Sequence, residues 1–394
     1  MLYFDHNATT PLLPQARQAW LEAAERFVGN PSSPHRVGGR ADAAITSARE
    51  ELAGFLGCDA LDIVWTSGAT ESNNTVLHHF ARTLDAQAEV WISAIEHPCV
   101  LAATRHYFAH RHRLIPVTPS GVLDLTWLIE EMTHHRPGLV AIMAANNETG
   151  VVQPWREALA IFRQYEVPFF CDAAQWIGKL PADGLGECDF LSGAAHKFGG
   201  PKGAGFLKCP GAGRIEPLLR GGPQEEGRRA GTENVAGIHS MTAALQTREA
   251  FWHSMSPTGP EGSAPRSAQP DVIRERLAWR EAFEQQLLSA LPGSEVVGAG
   301  QERLWNTVSA LMPEANSQQR WVVKLDKLGY AVSTGSACSS GKEEPSHVLA
   351  AMGCPPAAAG RVLRFSSGWE TTQADWTALL EGVEKVYRGM GKTG

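Results

Sequence analysis

The chain is predicted to be an α/β protein: a large domain whose mainly parallel sheet is flanked by helices, joined to a smaller α/β domain. Three observations predict it. Apolar strand-like segments alternate with amphipathic stretches from about residue 40 to residue 210, the rhythm of βαβ units. One of these segments, 167–171, is uninterrupted apolar and ends on an aspartate, as a strand buried on both faces does. The chain's 394 residues are too many for a single small core and suit two domains or one large α/β domain with an appendage.

Taken in order, residues 45–56 read as an amphipathic helix, 62–66 (Asp-Ile-Val-Trp-Thr) as a strand and 71–82 as a helix. Val90-Trp-Ile-Ser93, 139–143, 167–171 and 206–208 continue the set of strands. The stretch 254–270 is rich in Pro, Gly and Ser and reads as an exposed loop or linker between helices. A long charged helix is expected over 271–291, and strand candidates near 305–311 and 361–366 suit the smaller domain. The expected division is 14–262 for the large domain, with 1–13 and 263–394 forming the small one. No repeat of 20 to 50 residues is visible.

Composition narrows the function classes. A net charge of −7 argues against broad nucleic-acid binding, and no apolar run approaches membrane-spanning length. Met1 leads almost directly into Leu-Tyr-Phe-Asp with no basic or apolar leader, so a cytoplasmic protein is expected. Seven cysteines without a CxxC pair fit reduced thiols; Cys58, Cys171, Cys188 and Cys209 read as small hydrophobes. His106, His110 and His112 lack an adjacent carboxylate signature, and no metal site is expected there.

The chemistry starts at Lys197, in Ser192-Gly-Ala-Ala-His-Lys-Phe-Gly-Gly-Pro-Lys-Gly203, between a short hydrophobic segment and a glycine-rich turn. An amine held there can form a Schiff base with a carbonyl compound; a solvated surface lysine is the plain alternative. Asp172 is its partner, at the carboxyl end of an expected parallel strand, the edge where open α/β sheets bind ligands. A buried carboxylate calls for a basic residue or a cationic ligand nearby; a plain strand-end cap is the alternative for Asp172. Pyridoxal phosphate needs both, a lysine for its aldehyde and an acid for its pyridinium nitrogen. Thr66-Ser-Gly-Ala-Thr-Glu-Ser-Asn-Asn74 joins a strand directly to a helix, and such a helix start can bind a phosphate or simply be an ordinary N-cap.

Three more polar clusters follow strands: Glu96-His97-Pro98, Asn146-Asn-Glu-Thr-Gly150, and Gln175, three residues past Asp172. His97 could lie flat on an aromatic cofactor and shuttle protons, or be a turn histidine. Cys338 sits among small residues in Val332-Ser-Thr-Gly-Ser-Ala-Cys-Ser-Ser-Gly341, a setting suited to an exposed nucleophile. Arg364, ending a strand-like stretch, could grip a carboxylate bidentately, with Arg361 its structural counterpart.

These stretches together resemble a cysteine desulfurase of the NifS/IscS type, within the class V aminotransferase superfamily of fold-type I pyridoxal phosphate enzymes. The resemblance runs from Tyr3-Phe-Asp-His-Asn-Ala-Thr-Thr-Pro11 through Gly29-Asn-Pro-Ser-Ser33, Ser67-Gly-Ala-Thr-Glu-Ser72, Asn146-Asn-Glu148, Asp172-Ala-Ala-Gln175, His196-Lys197, Arg229-Ala-Gly-Thr-Glu-Asn234 and Ser336-Ala-Cys338 to Arg364-Phe-Ser366. It implies that Lys197 carries the cofactor, Asp172 holds its pyridinium, Gln175 bonds its phenolic oxygen and His97 stacks on the ring. Ala69, Thr70 and His196 would bind the phosphate, with Thr232 supplied by the second subunit of a homodimer. Asn147 and Arg364 would hold the carboxylate of L-cysteine, and Cys338 would take the sulfur as a persulfide and pass it to an acceptor protein. The setting of Cys338 is similar to the mobile-loop branch of the family.

The chain departs from the pattern in places. Family members often carry a serine where Ala194 stands and a glycine where Ala195 stands, so one phosphate hydrogen bond is expected to be missing. The chain stops at Gly394, which leaves an iron–sulfur scaffold in doubt as the acceptor, and iron–sulfur assembly, tRNA thiolation and DNA phosphorothioation all stay open. A selenocysteine lyase or related C–S lyase is the competing enzyme, and a catalytically silent binding subunit the competing non-enzyme.

Overall fold

The computed structural model describes residues 1–211, 215–253, 271–314, 321–334 and 346–390. Cys338 and the 254–270 stretch therefore lie outside the described residues. A seven-stranded sheet forms the larger layer, in the order Ile63–Thr66, Gly205–Lys208, Phe190–Ala194, Phe169–Asp172, Leu139–Ala141, Val90–Ser93 and His112–Ile115. Its neighbours pair in parallel except Gly205–Lys208, which runs antiparallel to both of its neighbours. A four-stranded antiparallel sheet, Ser333–Thr334, Val362–Ser366, Thr307–Leu311 and Glu295–Val296, forms the smaller layer. The expected α/β architecture is thus observed, with element ends displaced by at most two residues. The helix read at 45–56 is the larger exception, since it begins at Arg36 and runs as Arg36–Leu56.

Period-2 alternation in the central strand explains why its acid faces the site. Phe169 and Cys171 point into one core with Trp91, Phe162 and Phe206, whereas Phe170 points into the opposite core with Val76, Leu77 and Phe80. Asp172 shares the face of Phe170, and that face is covered by the helix Ala69–Thr83. Each buried phenylalanine contributes about 1.5–3 kcal/mol to holding this strand in place.

The chain's first residues tie the two layers together. Leu2–Tyr3 pairs in parallel with Tyr330–Ala331, and Phe4 is buried in the small-sheet core beside Phe365 and Trp376. Nine residues past Phe4, Leu13 is buried in the large core. Among the described residues, no helix is long and apolar enough to cross a membrane.

Candidate active site

The polar clusters all follow the carboxyl ends of strands that run the same way, so the sheet itself gathers them at one edge. His97 follows Val90–Ser93, Asn147 follows Leu139–Ala141, Gln175 follows Phe169–Asp172, and Lys197 follows Phe190–Ala194. The helix Ala69–Thr83 opens at the same edge. Its N-cap, Gly68, has φ +151° and ψ 176°, a region essentially reserved for glycine, and makes no side-chain cap bond. The backbones are crowded there: a Cβ on Gly205 would lie 2.5 Å from the Cα of Gly68. The amides of the first helical turn have no partner within a helix, which leaves a cradle suited to a phosphate. Glu71 closes one side, accepting from the Ser67 amide at 2.8 Å and pairing with Arg229 at 2.9 Å.

Asp172 is 5% exposed and fully engaged at its base. Its Oδ2 accepts from Asn73 Nδ2 at 2.7 Å and its Oδ1 from the Ala174 amide at 2.9 Å. The same Asn73 amide lies 3.2 Å from the Cys99 thiol, which in turn sits 3.0 Å from His97 Nδ1. Burial pushes the Cys99 thiol up to about 12, so it stays protonated and can donate. The Cys99 amide also donates to His97 Nδ1, at 3.2 Å, which makes Nδ1 the acceptor nitrogen of a neutral ring. Burial lowers the His97 pKa, Asp172 pulls it up, and Lys197 and His347 push it down. One imidazole therefore lies in the fields of both the acid and the amine.

Lys197 donates through Nζ to the carbonyls of Asn7 at 2.7 Å and Ala8 at 3.0 Å. Gln175 Nε2 donates to that same Asn7 carbonyl at 2.9 Å. His196 contacts Thr9 Oγ1 at 3.2 Å, and its own carbonyl accepts from the Thr10 hydroxyl and amide. Arg364 is 2% exposed; its Nη2 meets Asp5 at 2.7 Å and its Nη1 the Asn147 carbonyl at 2.9 Å. Asn7 Nδ2 donates to that carbonyl as well, at 3.1 Å. Lys197, Gln175, Asn147 and Arg364 are thus gathered around the segment 5–8.

Thr232 stands apart. It is exposed, on a segment held to the phosphate cradle by the Arg229–Glu71 pair. Behind it, the pair between half-buried Arg49 and buried Glu225 and the left-handed backbone of Glu225 and Glu226 fix the turn. Sequence reasoning assigned no role to Asn7, Asn73, Cys99 or Lys179. It also passed over Ser346 and His347, which pin the chain beyond the Cys338 segment to the site: Ser346 donates to Glu148 Oε2 at 2.5 Å and His347 Nε2 contacts the Glu96 carbonyl at 2.8 Å. Glu148, Asn7 and Asn73 lie within stretches that the sequence marks out, whereas Cys99, Lys179, Ser346 and His347 are single residues with no pattern around them.

Glu96 is fully buried, and burial, with Asp172 nearby, raises its pKa well above the ordinary carboxylate value, while the Met143 amide donating to its Oε1 lowers it. The site's carboxylates are then Asp172, held by Asn73 and the Ala174 amide, and Asp5, paired with Arg364. Among the described residues, no group of three or more His, Cys, Asp or Glu is placed to hold a metal ion.

Burial pushes both His6 and His196 down to about 4. A histidine with a depressed folded pKa binds its proton first in the unfolded state, so stability falls as pH drops from about 6.5 toward 4. His6→Gln is expected to flatten that slope relative to the unsubstituted protein, measured by urea unfolding at pH 7, 5.5 and 4.5. An unchanged slope would show that His6 titrates normally.

Fold and site define a class: an α/β enzyme with an amine, an acid and a phosphate cradle at one sheet edge, the arrangement of fold-type I pyridoxal phosphate enzymes. A family model described as aminotransferase class-V matches residues 2–254. A cysteine desulfurase of Enterobacter agglomerans is 38% identical over 98% of this chain and 92% of its own length. A solved structure of a NifS-like protein superposes with a TM-score of 0.85 at 30% identity, over 98% of this chain and 99% of that one. A structure of SspA in complex with cysteine gives 0.75 at 28% identity, over 94% and 100%. The chain belongs to the aminotransferase class-V family, and within it to the cysteine desulfurases of the NifS/IscS type.

Proposed function

We propose that this chain converts L-cysteine to L-alanine with pyridoxal phosphate as cofactor, leaving the sulfur as a persulfide on Cys338 for transfer to an acceptor protein. The observation that carries the reading is one sheet edge holding Lys197, Asp172 linked through Asn73 and Cys99 to His97, and a helix start without a side-chain cap. When bound, the cofactor supplies an electron sink that makes a substrate α-proton removable.

This chain's residues would do the rest. Lys197, resting on two carbonyls, would hold the cofactor's aldehyde carbon and then carry the substrate's α-proton. Asp172, oriented by Asn73 and the Ala174 amide, would keep the ring nitrogen protonated. The amides at Ala69 and Thr70, with His196, would hold the phosphate, and Thr232 from a second copy of the chain would complete it in a homodimer. His97, neutral at pH 7, would cover the ring and accept or return protons. Arg364 and Asn147 would orient the substrate carboxylate. The Cys338 thiolate would attack the substrate sulfur; the S–S bond forms, the C–S bond breaks with its electron pair going to carbon, and protonation there gives alanine. A cytoplasmic location agrees with reduced cysteines and an acceptor protein as partner.

The test uses the purified protein loaded with pyridoxal phosphate and given one equivalent of L-cysteine without reductant. Alanine should appear in equal amount to an extra sulfur on the peptide containing Cys338, found by mass spectrometry. Alanine formed with the sulfur released and none bound to Cys338 would instead make the protein a C–S lyase.

A further inference from the structure

Lys179 lies four residues past Gln175 and is 3% exposed. A buried ammonium normally needs a carboxylate. The hydrogen-bond acceptors that Lys179 meets are neutral instead: Nζ donates to Asn7 Oδ1 at 3.1 Å and to Gln175 Oε1. Burial, then Lys197 and Arg364, push its pKa well down, and a neutral amine has two N–H bonds for those two oxygens.

The orientation of both amides follows. The Asn7 backbone carbonyl can only accept, so Gln175 must face it with Nε2, and Oε1 is left for Lys179. Asn7 is fixed in the same way, because its Nδ2 faces the Asn147 carbonyl and its Oδ1 takes Lys179 and Asn306 Nδ2. We propose that Lys179 is a positioning residue for the desulfurase reaction, locking the Gln175 amide so that its N–H bonds, and not its oxygen, face Lys197 and the cofactor's phenolic oxygen. The proposal rests on the functional reading above.

The test is a double-mutant cycle on the visible absorption band of the pyridoxal phosphate-loaded protein, titrated against pH for the unsubstituted chain, Lys179→Met, Gln175→Leu and the double variant. An N–H given to an oxygen anion favours the deprotonated form, so its loss raises the titration midpoint. Each single variant should raise the midpoint by roughly 0.5–1 pH unit, the size of one hydrogen bond, and the double variant by no more than Gln175→Leu alone. An unchanged midpoint in Lys179→Met, or additive shifts in the double variant, would overturn the proposal. Should Lys179→Met not fold, Lys179→Gln keeps a neutral donor. A midpoint nearer that of the unsubstituted protein supports positioning, and one at or beyond that of Gln175→Leu refutes it. Absence of any visible band in the unsubstituted protein would overturn the functional reading itself, a different outcome.

Discussion

Lys197→Ala is expected to abolish the visible band formed with pyridoxal phosphate and to lower alanine formation from L-cysteine by at least about 10³-fold, because covalent and proton-transfer roles are lost together. The substitution also removes the donor that the Asn7 and Ala8 carbonyls share, at 2.7 and 3.0 Å. The Asn7 carbonyl keeps Gln175 Nε2 as a donor at 2.9 Å, so the loss falls mainly on Ala8. A lost hydrogen bond is worth about 0.5–1.5 kcal/mol, and a modest loss of stability should accompany the loss of function. Lys197 is also one of the charges that push the Lys179 pKa down, and removing it relieves that push. Absorbance spectra, turnover and urea unfolding read these effects separately. A coloured, active Lys197→Ala protein would remove the amine from the mechanism.

Asp172→Asn is expected to fold and to lose about 10²–10⁴-fold in turnover. Removing one preorganised electrostatic partner of a reacting group costs about 10²–10³, and the cofactor's ring nitrogen would lose its counter-charge as well. The Ala174 amide can only donate, so the new amide oxygen must face it and the new NH2 must face Asn73, which sets donor against donor until the Asn73 amide turns. His97 gives a second readout. Asp172 raises the His97 pKa, so its neutralisation lets that pKa fall further and moves the acid limb of the pH–rate profile to lower pH. An acid limb that stays in place would separate His97 from Asp172.

Much of this was legible in the sequence, for physical reasons that can be named. Strands buried on both faces leave uninterrupted apolar runs, so Val90–Ser93 was read at its observed bounds. The edge strand His112–Ile115 was not, because its half-exposed His112 and Arg113 carry no apolar signature. Phe190–Ala194 was seen only as a short hydrophobic segment, since Ser192-Gly-Ala looks like loop while it is fully buried beneath Phe206 and the helix Ala69–Thr83. Residues on strand ends announced themselves by following apolar runs. Asn7 and Lys179 did not: an asparagine near the amino end and a lysine after a glycine look like surface, and tertiary packing alone gives them partners.

The segment that begins at Asp5 acts as a stitch. Asn7 reaches Thr307, Asn306 and Ser366 on one side, and Gln175, Lys179 and Lys197 on the other. One residue therefore serves both the seam between the two layers and the surroundings of the Lys197 amine. A nick just after Asn7 would do more than trim a terminus; it would unseat the amine and loosen the seam between layers at once.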